Sequence, residues 1–366
     1  MGKILRYPRP RSLKKIADNL VVLLKWLESK NYDSSTIDYD PHLREYARDQ
    51  AAGMSLQFPR PLKKGTIEKR LDHAVDFLLW SGARQLRAKP KIPMQHFHRN
   101  FDTGQNSRPT AKAGQSRAGR ARANPVDLRL PSFAELRKWD AIIRLNQPYE
   151  KHLACRTILG TAIRLLEAEC LPVDFVPMNP EHWHIENGQV SFMLTEGTKG
   201  GRHRLISMPL DLCTRLHRYR LRERVEALTK WIGRHPSQAK PRALFLGSYN
   251  GAPLSSQTIR TAFSSHRIYP GWSPHLARHT WACYELLALL SNAVPTHLAA
   301  SGSVPITWVE SQARTLISLI VQPQLGHIDE KTTNIYVRWL AMQLSLPSIF
   351  SNWHAALDTP DEQEQG

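Results

Sequence analysis

The sequence predicts a mainly α-helical protein with a small antiparallel β-sheet, an α+β fold built from two domains. Leu- and Ile-rich stretches recur at helical spacing along most of the chain, as in residues 11–30. Strand-like stretches are concentrated in residues 183–209. A basic, polar segment over residues 84–129 separates two regions that are each rich enough in apolar residues to form a core.

Composition limits the classes of partner and compartment. The 366 residues carry 50 Lys and Arg against 32 Asp and Glu, a formal net charge of +18. Such an excess predicts a polyanionic partner, by default nucleic acid, with an anionic membrane surface as the alternative. No apolar run of about 18 residues exists to span a bilayer, and the N-terminal residues lack the apolar core of a signal peptide. The 4 cysteines are irregularly spaced without a C-x-x-C pair, which argues against a zinc site or a disulfide framework and favours the reduced cytoplasm.

The N-terminal region, residues 1–86, is predicted to be a small helical domain. Its first helix covers residues 11–30, and a second is expected around residues 41–50. A third helix is predicted to begin at Thr66 as its cap and to end at Gly82. Lys and Arg interleave with the apolar positions of these helices. They are either ordinary solvated charges or half of a clamp on DNA.

The basic segment follows, and residues 87–130 are predicted to be a flexible linker. Residues 84–129 hold eleven Lys or Arg against two acidic residues, with few apolar side chains to bury. The segment is either a simple tether or a strap that lies along DNA phosphates. Arg117, Arg120 and Arg122 are the expected contacts in the second case.

A second domain is predicted over residues 131–346, starting with a capping box at Ser132 and Glu135. A Leu-rich helical pattern over residues 149–171 then includes Arg164, a charge that needs a partner inside an apolar run. That partner is either Glu167 or Glu169, or a bound phosphate. An Asn187-Gly188 turn predicts a β-hairpin. In the tail, residues 347–366, Ile349, Phe350 and Trp353 share one helical face, which packs either on its own domain or on a neighbouring protomer.

Residues suited to phosphodiester chemistry gather near the end of the second domain. Ser273-Pro274 predicts a helix start, after which His275, Arg278 and His279 share one face. Leu325-Gly326-His327 follows, and Tyr336 lies nine residues after His327. Arg grips phosphate oxygens in a bidentate manner, His moves protons near neutral pH, and Tyr can attack phosphorus.

The order H-x-x-R-H, L-G-H and then tyrosine resembles the tyrosine recombinase (phage integrase) family. Arg164 in its R-x-x-E setting is similar to the first catalytic arginine of that family, although Ala162-Ile163 stands where Gly-Leu is usual. Lys199, in a Gly-rich turn, matches the catalytic lysine, with Arg202 and Arg204 as rival phosphate contacts. The 48 positions from His279 to His327 exceed the usual spacing and predict an insertion around residues 291–311.

The resemblance implies site-specific DNA strand exchange through a 3′-phosphotyrosyl intermediate, without metal, nucleotide or other cofactor. It implies a helical core-binding domain, a catalytic domain, double-stranded DNA as partner and a homotetramer on DNA, assisted by accessory DNA-bending proteins or a partner recombinase. A bacterial, nucleoid-associated, cytoplasmic location follows, without membrane association. The implied catalytic residues are Arg164, Lys199, His275, Arg278, His327 and Tyr336.

Several functions remain open within and beside this family. The basic segment and the insertion favour integration, excision or transposition of a mobile element over chromosome-dimer resolution. A type IB topoisomerase-like enzyme would use similar residues to relax supercoils. A non-catalytic DNA-binding protein on the same scaffold is disfavoured because the residue set is complete.

Overall fold

A computed structural model of the chain describes residues 10–54, 59–99, 112–117, 129–198, 201–296, 304–326 and 330–344. Over these residues the protein is mainly helical with a small three-stranded antiparallel sheet, which confirms the predicted fold class. The chain divides into two compact units, Met1–Val126 and Asp127–Gly366. Within the described ranges, no helix is long and apolar enough to cross a membrane.

The first unit is built on three helices: α1 (Pro10–Ser29), α2 (Arg44–Ala52) and α3 (Lys64–Ala83). A short π-helical turn, Tyr39–Leu43, leads into α2. Leu23 and Leu27 of α1 are buried in one core with Leu71 and Leu78 of α3, as the helical spacing of these leucines requires. The first predicted helix is confirmed to within one residue at each end.

The predicted start of α3 was wrong, and its predicted end is one residue short. The helix begins at Lys64, with Lys63 as an N-cap that makes no side-chain capping bond, so Thr66 lies inside the first turn. Gly82 lies inside the helix, which continues to Ala83. A Cβ added at Gly82 would lie 2.8 Å from Pro90 Cδ, so this glycine allows the following chain to pass close to the helix.

Part of the predicted flexible linker forms strands. Strand β1 (Met94–Arg99) pairs antiparallel with β2 (Lys112–Arg117), from Met94 opposite Arg117 to Arg99 opposite Lys112. Sequence composition missed these strands because their pairing is made by backbone groups, which a scarcity of apolar residues does not reveal. Residues 118–128, with Arg120 and Arg122, lie outside the described residues.

The second unit surrounds its small sheet with helices. Its strands are β3 (Ile185–Glu186), β4 (Gln189–Leu194) and β5 (Arg204–Pro209). Its helices are α4 (Phe133–Asn146), α5 (Tyr149–Thr161), α6 (Leu165–Cys170), α7 (Leu210–Leu221), α8 (Glu223–Arg234), α9 (Ser256–Ser264), α10 (Pro274–Ala293), α11 (Ile306–Leu316), α12 (Gln322–Leu325) and α13 (Glu330–Leu344).

The local signals at the start of this unit and in its sheet are confirmed. Ser132 and Glu135 form the predicted capping box at the start of α4. Strands β3 and β4 join through Asn187 and Gly188, whose φ angles of 49° and 71° give the positive values that an Asn-Gly hairpin turn needs. Strand β4 also pairs with β5, so the strand order is β3-β4-β5.

Two apolar cores hold the second unit together. The larger lies between the sheet and helices α4, α5, α7 and α9. The smaller lies between α10, α11 and α13, and it includes Val309 and Ala313 of α11 together with Tyr336 of α13. Helix α11 begins within the last residues of the predicted insertion and continues beyond it. Part of the extra chain therefore belongs to the core that surrounds Tyr336.

Two of the predicted features fall on parts of the chain that the structure does not describe. Residues 297–303, in the middle of the insertion, lie outside the described residues. The tail does too, with Ile349, Phe350 and Trp353 of its predicted apolar face.

Candidate active site

Arg164 lies at an interruption between two helices of the second unit, α5 and α6. The helical pattern over residues 149–171 predicted one helix, but α5 ends at Thr161 and α6 begins at Leu165. Ala162 adopts a left-handed conformation at φ 54°, which is unfavourable for a residue other than glycine. Tertiary bonds stabilise the break: the freed Ala162 carbonyl accepts a hydrogen bond from Arg278, and Glu167 accepts one from the Arg164 backbone at 2.6 Å.

Glu167 is the counter-charge of three arginines. Its side chain is 0% exposed and forms ion pairs with Arg164 at 2.8 Å and with Arg204 at 2.7 Å, while Arg278 Nη1 lies 4.0 Å away. Burial by itself raises the pKa of Glu167, but the hydrogen bonds from Arg204 and Arg164 outweigh it and hold that pKa below its usual value. One carboxylate facing three guanidinium groups leaves an excess of positive charge, which suits an anion.

The same three arginines bind three successive backbone carbonyls at the end of α12. Arg204 Nε donates to Gln324 O at 2.8 Å, Arg278 Nη2 to Leu325 O at 3.0 Å, and Arg164 Nη2 to Gly326 O at 3.0 Å. These bonds satisfy carbonyls that a helix end leaves without a partner. They also fix the backbone that leads directly into position 327.

Gly326 makes this arrangement possible. Its φ is 61°, and a Cβ at this position would lie 3.1 Å from Arg204 Cδ. The glycine therefore serves both the left-handed helix end and the close approach of Arg204. Gln324 completes the junction, since its buried amide donates to Thr161 O at 2.9 Å and accepts from Ser207 N at 2.8 Å.

Helix α10 carries Arg278 and both histidines. Ser273 is its N-cap and accepts a hydrogen bond from Leu276 N, as the Ser-Pro sequence predicted. The Arg278 side chain is 4% exposed. Burial, together with the charge of Arg164, lowers the pKa of Arg278 to about 9, so its guanidinium still carries a proton at neutral pH.

Tyr336 is buried at 1% exposure and turns its hydroxyl toward α10. The Tyr336 hydroxyl lies 2.9 Å from His279 Nδ1, and His279 Nε2 lies 3.2 Å from His275 Nε2. Burial raises the pKa of Tyr336. Partial desolvation of the ring, followed by the positive charges of Arg278 and Arg164, lowers the pKa of His275, which favours the neutral imidazole.

The structure brings together four of the six predicted catalytic residues: Arg164, His275, Arg278 and Tyr336. Lys199 and His327 lie outside the described residues, as do Arg120 and Arg122, while Arg117 is described only as backbone in β2.

The remaining charged candidates occupy different environments. Arg202 is exposed. The Arg204 side chain is 8% exposed and bonded to Glu167, which favours a structural tie over the phosphate contact predicted for it. Glu169, the other candidate partner of Arg164, accepts instead from Ser256 N at 3.0 Å.

Three features of the site were not predicted from the sequence. His279 was placed on one helix face with His275 and Arg278 but was not among the implied catalytic residues, and Gln324 was not singled out. The tie between Arg204 and Glu167 was also missed. The signal for His279 was present in its position four residues after His275, whereas the contacts of Gln324 are all distant in sequence.

Comparison with known families identifies the domain that this unit carries. The model of the phage integrase family matches residues 137–299, which include Arg164, His275 and Arg278. The chain carries a phage integrase domain. This is the domain that the motifs predicted.

A solved recombinase structure shares the fold at low sequence identity. The XerH site-specific recombinase, in a post-cleavage complex with a palindromic difH substrate, matches at 15% identity and a TM-score of 0.53 over 94% of this chain and 80% of that one. Lambda integrase (residues 75–356), as a dimer bound to a COC′ core site, matches at 14% identity and a TM-score of 0.49 over 91% and 90%. The first likeness shows the fold. A search among curated protein sequences found no match.

Proposed function

We propose that this protein is a tyrosine recombinase that cuts and rejoins double-stranded DNA at specific sites through a covalent bond to Tyr336. The observation that carries the proposal is the convergence of three arginines on one buried carboxylate, with the row of Tyr336 and two histidines close to Arg278. The XerH structure, a complex with its difH substrate, supports a DNA partner. The net charge of +18 supports it independently.

The chemistry assigned to each residue follows from its position. The Tyr336 oxygen attacks the scissile phosphorus, which gives a 3′-phosphotyrosyl bond and releases a 5′-hydroxyl. Arg164 and Arg278 bind the non-bridging oxygens and stabilise the charge that develops on them. His275 assists proton transfer at Tyr336. Lys199 protonates the leaving oxygen and His327 donates a hydrogen bond to the phosphate, roles that rest on the sequence motif alone.

Full strand exchange requires cuts in every strand of two duplexes, so we propose a homotetramer on DNA, assisted by accessory DNA-bending proteins or a partner recombinase. Because each bond to Tyr336 conserves the energy of the phosphodiester it replaces, the reaction needs no nucleotide. Integration, excision or transposition of a mobile element is the role that the basic segment and the insertion favour. A recombinase that resolves chromosome dimers would use the same catalytic residues.

Covalent trapping tests this function. The substrate is a pool of random-sequence duplexes, enriched for binding to the protein, in which a nick lets the released 5′ fragment diffuse away. The wild-type protein should form a detergent-resistant DNA adduct, whereas Tyr336→Phe should bind the same duplexes and form none. Tyr249→Phe is the matched control, since the Tyr249 side chain is 83% exposed. No adduct from the wild-type protein, or a normal yield from Tyr336→Phe, would contradict the proposal.

A further inference from the structure

The hydroxyl of Tyr336 has a direct partner that the motif does not assign. His279 Nδ1 lies 2.9 Å from that hydroxyl, whereas His275 reaches it only through His279, across the 3.2 Å between the two Nε2 atoms. The three rings follow one another in space: Tyr336 and His279 have centroids 5.6 Å apart, and His279 and His275 4.6 Å apart. Tyr336 is buried, His279 is partly buried and His275 is exposed, so the row leads from the core to solvent.

We infer that His279 is the catalytic base for Tyr336 and that His275 is the outer member of a two-histidine proton relay. The inference rests on the proposed function, because it assigns how the nucleophile of that reaction loses its proton. It changes the role of His275 from immediate partner of the tyrosine to second carrier.

The two hydrogen bonds of this row fit two arrangements of protons when His279 is neutral. For Tyr336 to donate to His279 Nδ1, the proton of neutral His279 must be on Nε2, where it points at His275 Nε2. His275 must then accept at Nε2 and carry its own proton on Nδ1. The opposite arrangement, in which His275 donates to His279 and His279 donates to the tyrosine oxygen, is the same row after one proton has moved along it.

The transfer balances without any added reactant. As the Tyr336 oxygen forms its bond to phosphorus, its proton passes to His279 Nδ1, and the proton on His279 Nε2 passes to His275 Nε2. His275 is then an imidazolium with protons on both nitrogens. It releases the extra proton from Nδ1 to solvent or to the departing 5′-oxygen, and the nearby charges of Arg278 and Arg164 favour that release. Religation runs through the same steps in reverse.

His279→Asn separates two functions of the His279 ring, accepting a hydrogen bond and taking up a proton. An asparagine amide oxygen can accept a hydrogen bond near the position of Nδ1, but it cannot take up a proton at neutral pH. We expect this variant to bind the enriched nicked duplexes and to melt like the wild-type protein. Its single-turnover rate of adduct formation should fall by about 10²–10⁴-fold, the usual range for the loss of a general base. His184→Asn is the control, because the His184 side chain is 79% exposed.

A sulfur substrate distinguishes a base at the tyrosine from an acid at the leaving group. When sulfur replaces the bridging 5′-oxygen, the leaving group departs as a thiolate and needs no proton, since thiols are far more acidic than alcohols. The defect of His279→Asn should persist on this substrate. The relay would be overturned if His279→Asn formed the adduct at the wild-type rate on the oxygen substrate. It would also be overturned if the rate of this variant recovered on the sulfur substrate.

Two further outcomes are informative. If His279→Asn melts early, His275→Asn replaces it, since that side chain is exposed and its removal leaves the core intact; a normal rate for that variant would also overturn the relay. If the wild-type protein itself forms no adduct, that result contradicts the proposed function as well as the relay.

Discussion

Glu167 sets the balance of charge at the centre of the second unit. Two arginines bond to its oxygens and a third lies at 4.0 Å. Each guanidinium also donates to a carbonyl of residues 324–326, so the carboxylate and the helix end share the same donors. Glu167 therefore orients Arg164 directly and supplies a nearby countercharge for Arg278, which the carbonyls of Ala162 and Leu325 hold in place.

Glu167→Gln should destabilise the protein by about 3–5 kcal/mol, because removing one partner of a buried ion pair leaves uncompensated charge. The measurement is chemical unfolding at neutral pH. Since the pKa of Glu167 is lowered in the folded state, its ionised form stabilises the fold above the pKa of an unfolded glutamate. That contribution is lost as pH falls through the lower, folded-state pKa, and this part of the acid sensitivity should be missing from the variant.

Glu186→Gln provides the comparison, because the Glu186 side chain is 77% exposed. It should change the free energy of unfolding very little. Equal stability of the Glu167 and Glu186 variants would show that the three arginines do not depend on the buried carboxylate.

At the scale of single elements, the start of α10 connects helix stability to chemistry. Ser273 caps the helix whose first turn carries His275 and whose next residues include Arg278. Ser255 caps α9 in the same way, with a side-chain bond from Thr258 N, but α9 carries none of the proposed catalytic residues.

Ser273→Ala and Ser255→Ala should each cost about 1 kcal/mol of stability, because each variant removes a helix cap. Only Ser273→Ala should also slow adduct formation, since fraying of its helix displaces His275. Single-turnover cleavage measured beside thermal unfolding separates the two effects. If both variants slow cleavage equally, the effect is one of general stability.

Elements whose signals are local could be predicted from the sequence. The capping box at Ser132, the Asn187-Gly188 turn and the cap at Ser273 each depend on hydrogen bonds within a few residues, so their residue types are sufficient. The break before Arg164 could not be predicted, because an alanine, Ala162, occupies the left-handed position and its stability comes from Arg278, 116 positions away. The pairing of β1 with β2 was missed because backbone groups make it, and these leave no signal in the side-chain composition.

In the candidate site, too, some features could be predicted from the sequence and others depend on contacts between residues distant in sequence. The motif residues were identified by type and spacing, and the structure places four of them together. The order of the histidines relative to Tyr336 could not be deduced from spacing, because His275 and His279 share one helix face and either could meet the tyrosine. Only the packing of α13 against α10 makes His279 the nearer one.

At the scale of the whole molecule, two units are connected through a strongly basic stretch of chain. Residues 84–129 carry eleven Lys or Arg against two acidic residues, and part of this stretch pairs as β1 and β2. Charge of this density adds affinity for DNA that depends on salt and not on sequence.

Replacing Arg117, Arg120 and Arg122 with glutamine should weaken DNA binding almost uniformly across sequences. It should also flatten the plot of log affinity against log salt by about one unit for each phosphate that the protein no longer binds. The same three positions changed to lysine keep their charge and should keep the slope. An unchanged slope in the glutamine variant would show that the stretch acts only as a tether.

The role of Tyr336 as nucleophile is tested most directly by finding which amino acid carries DNA in the trapped adduct. After nuclease and protease digestion, mass spectrometry should locate the residual nucleotide on the Tyr336 side chain, and sequencing of the attached strand should show a linkage through its 3′-phosphate. Attachment to any other residue, or through a 5′-phosphate, would contradict the assignment.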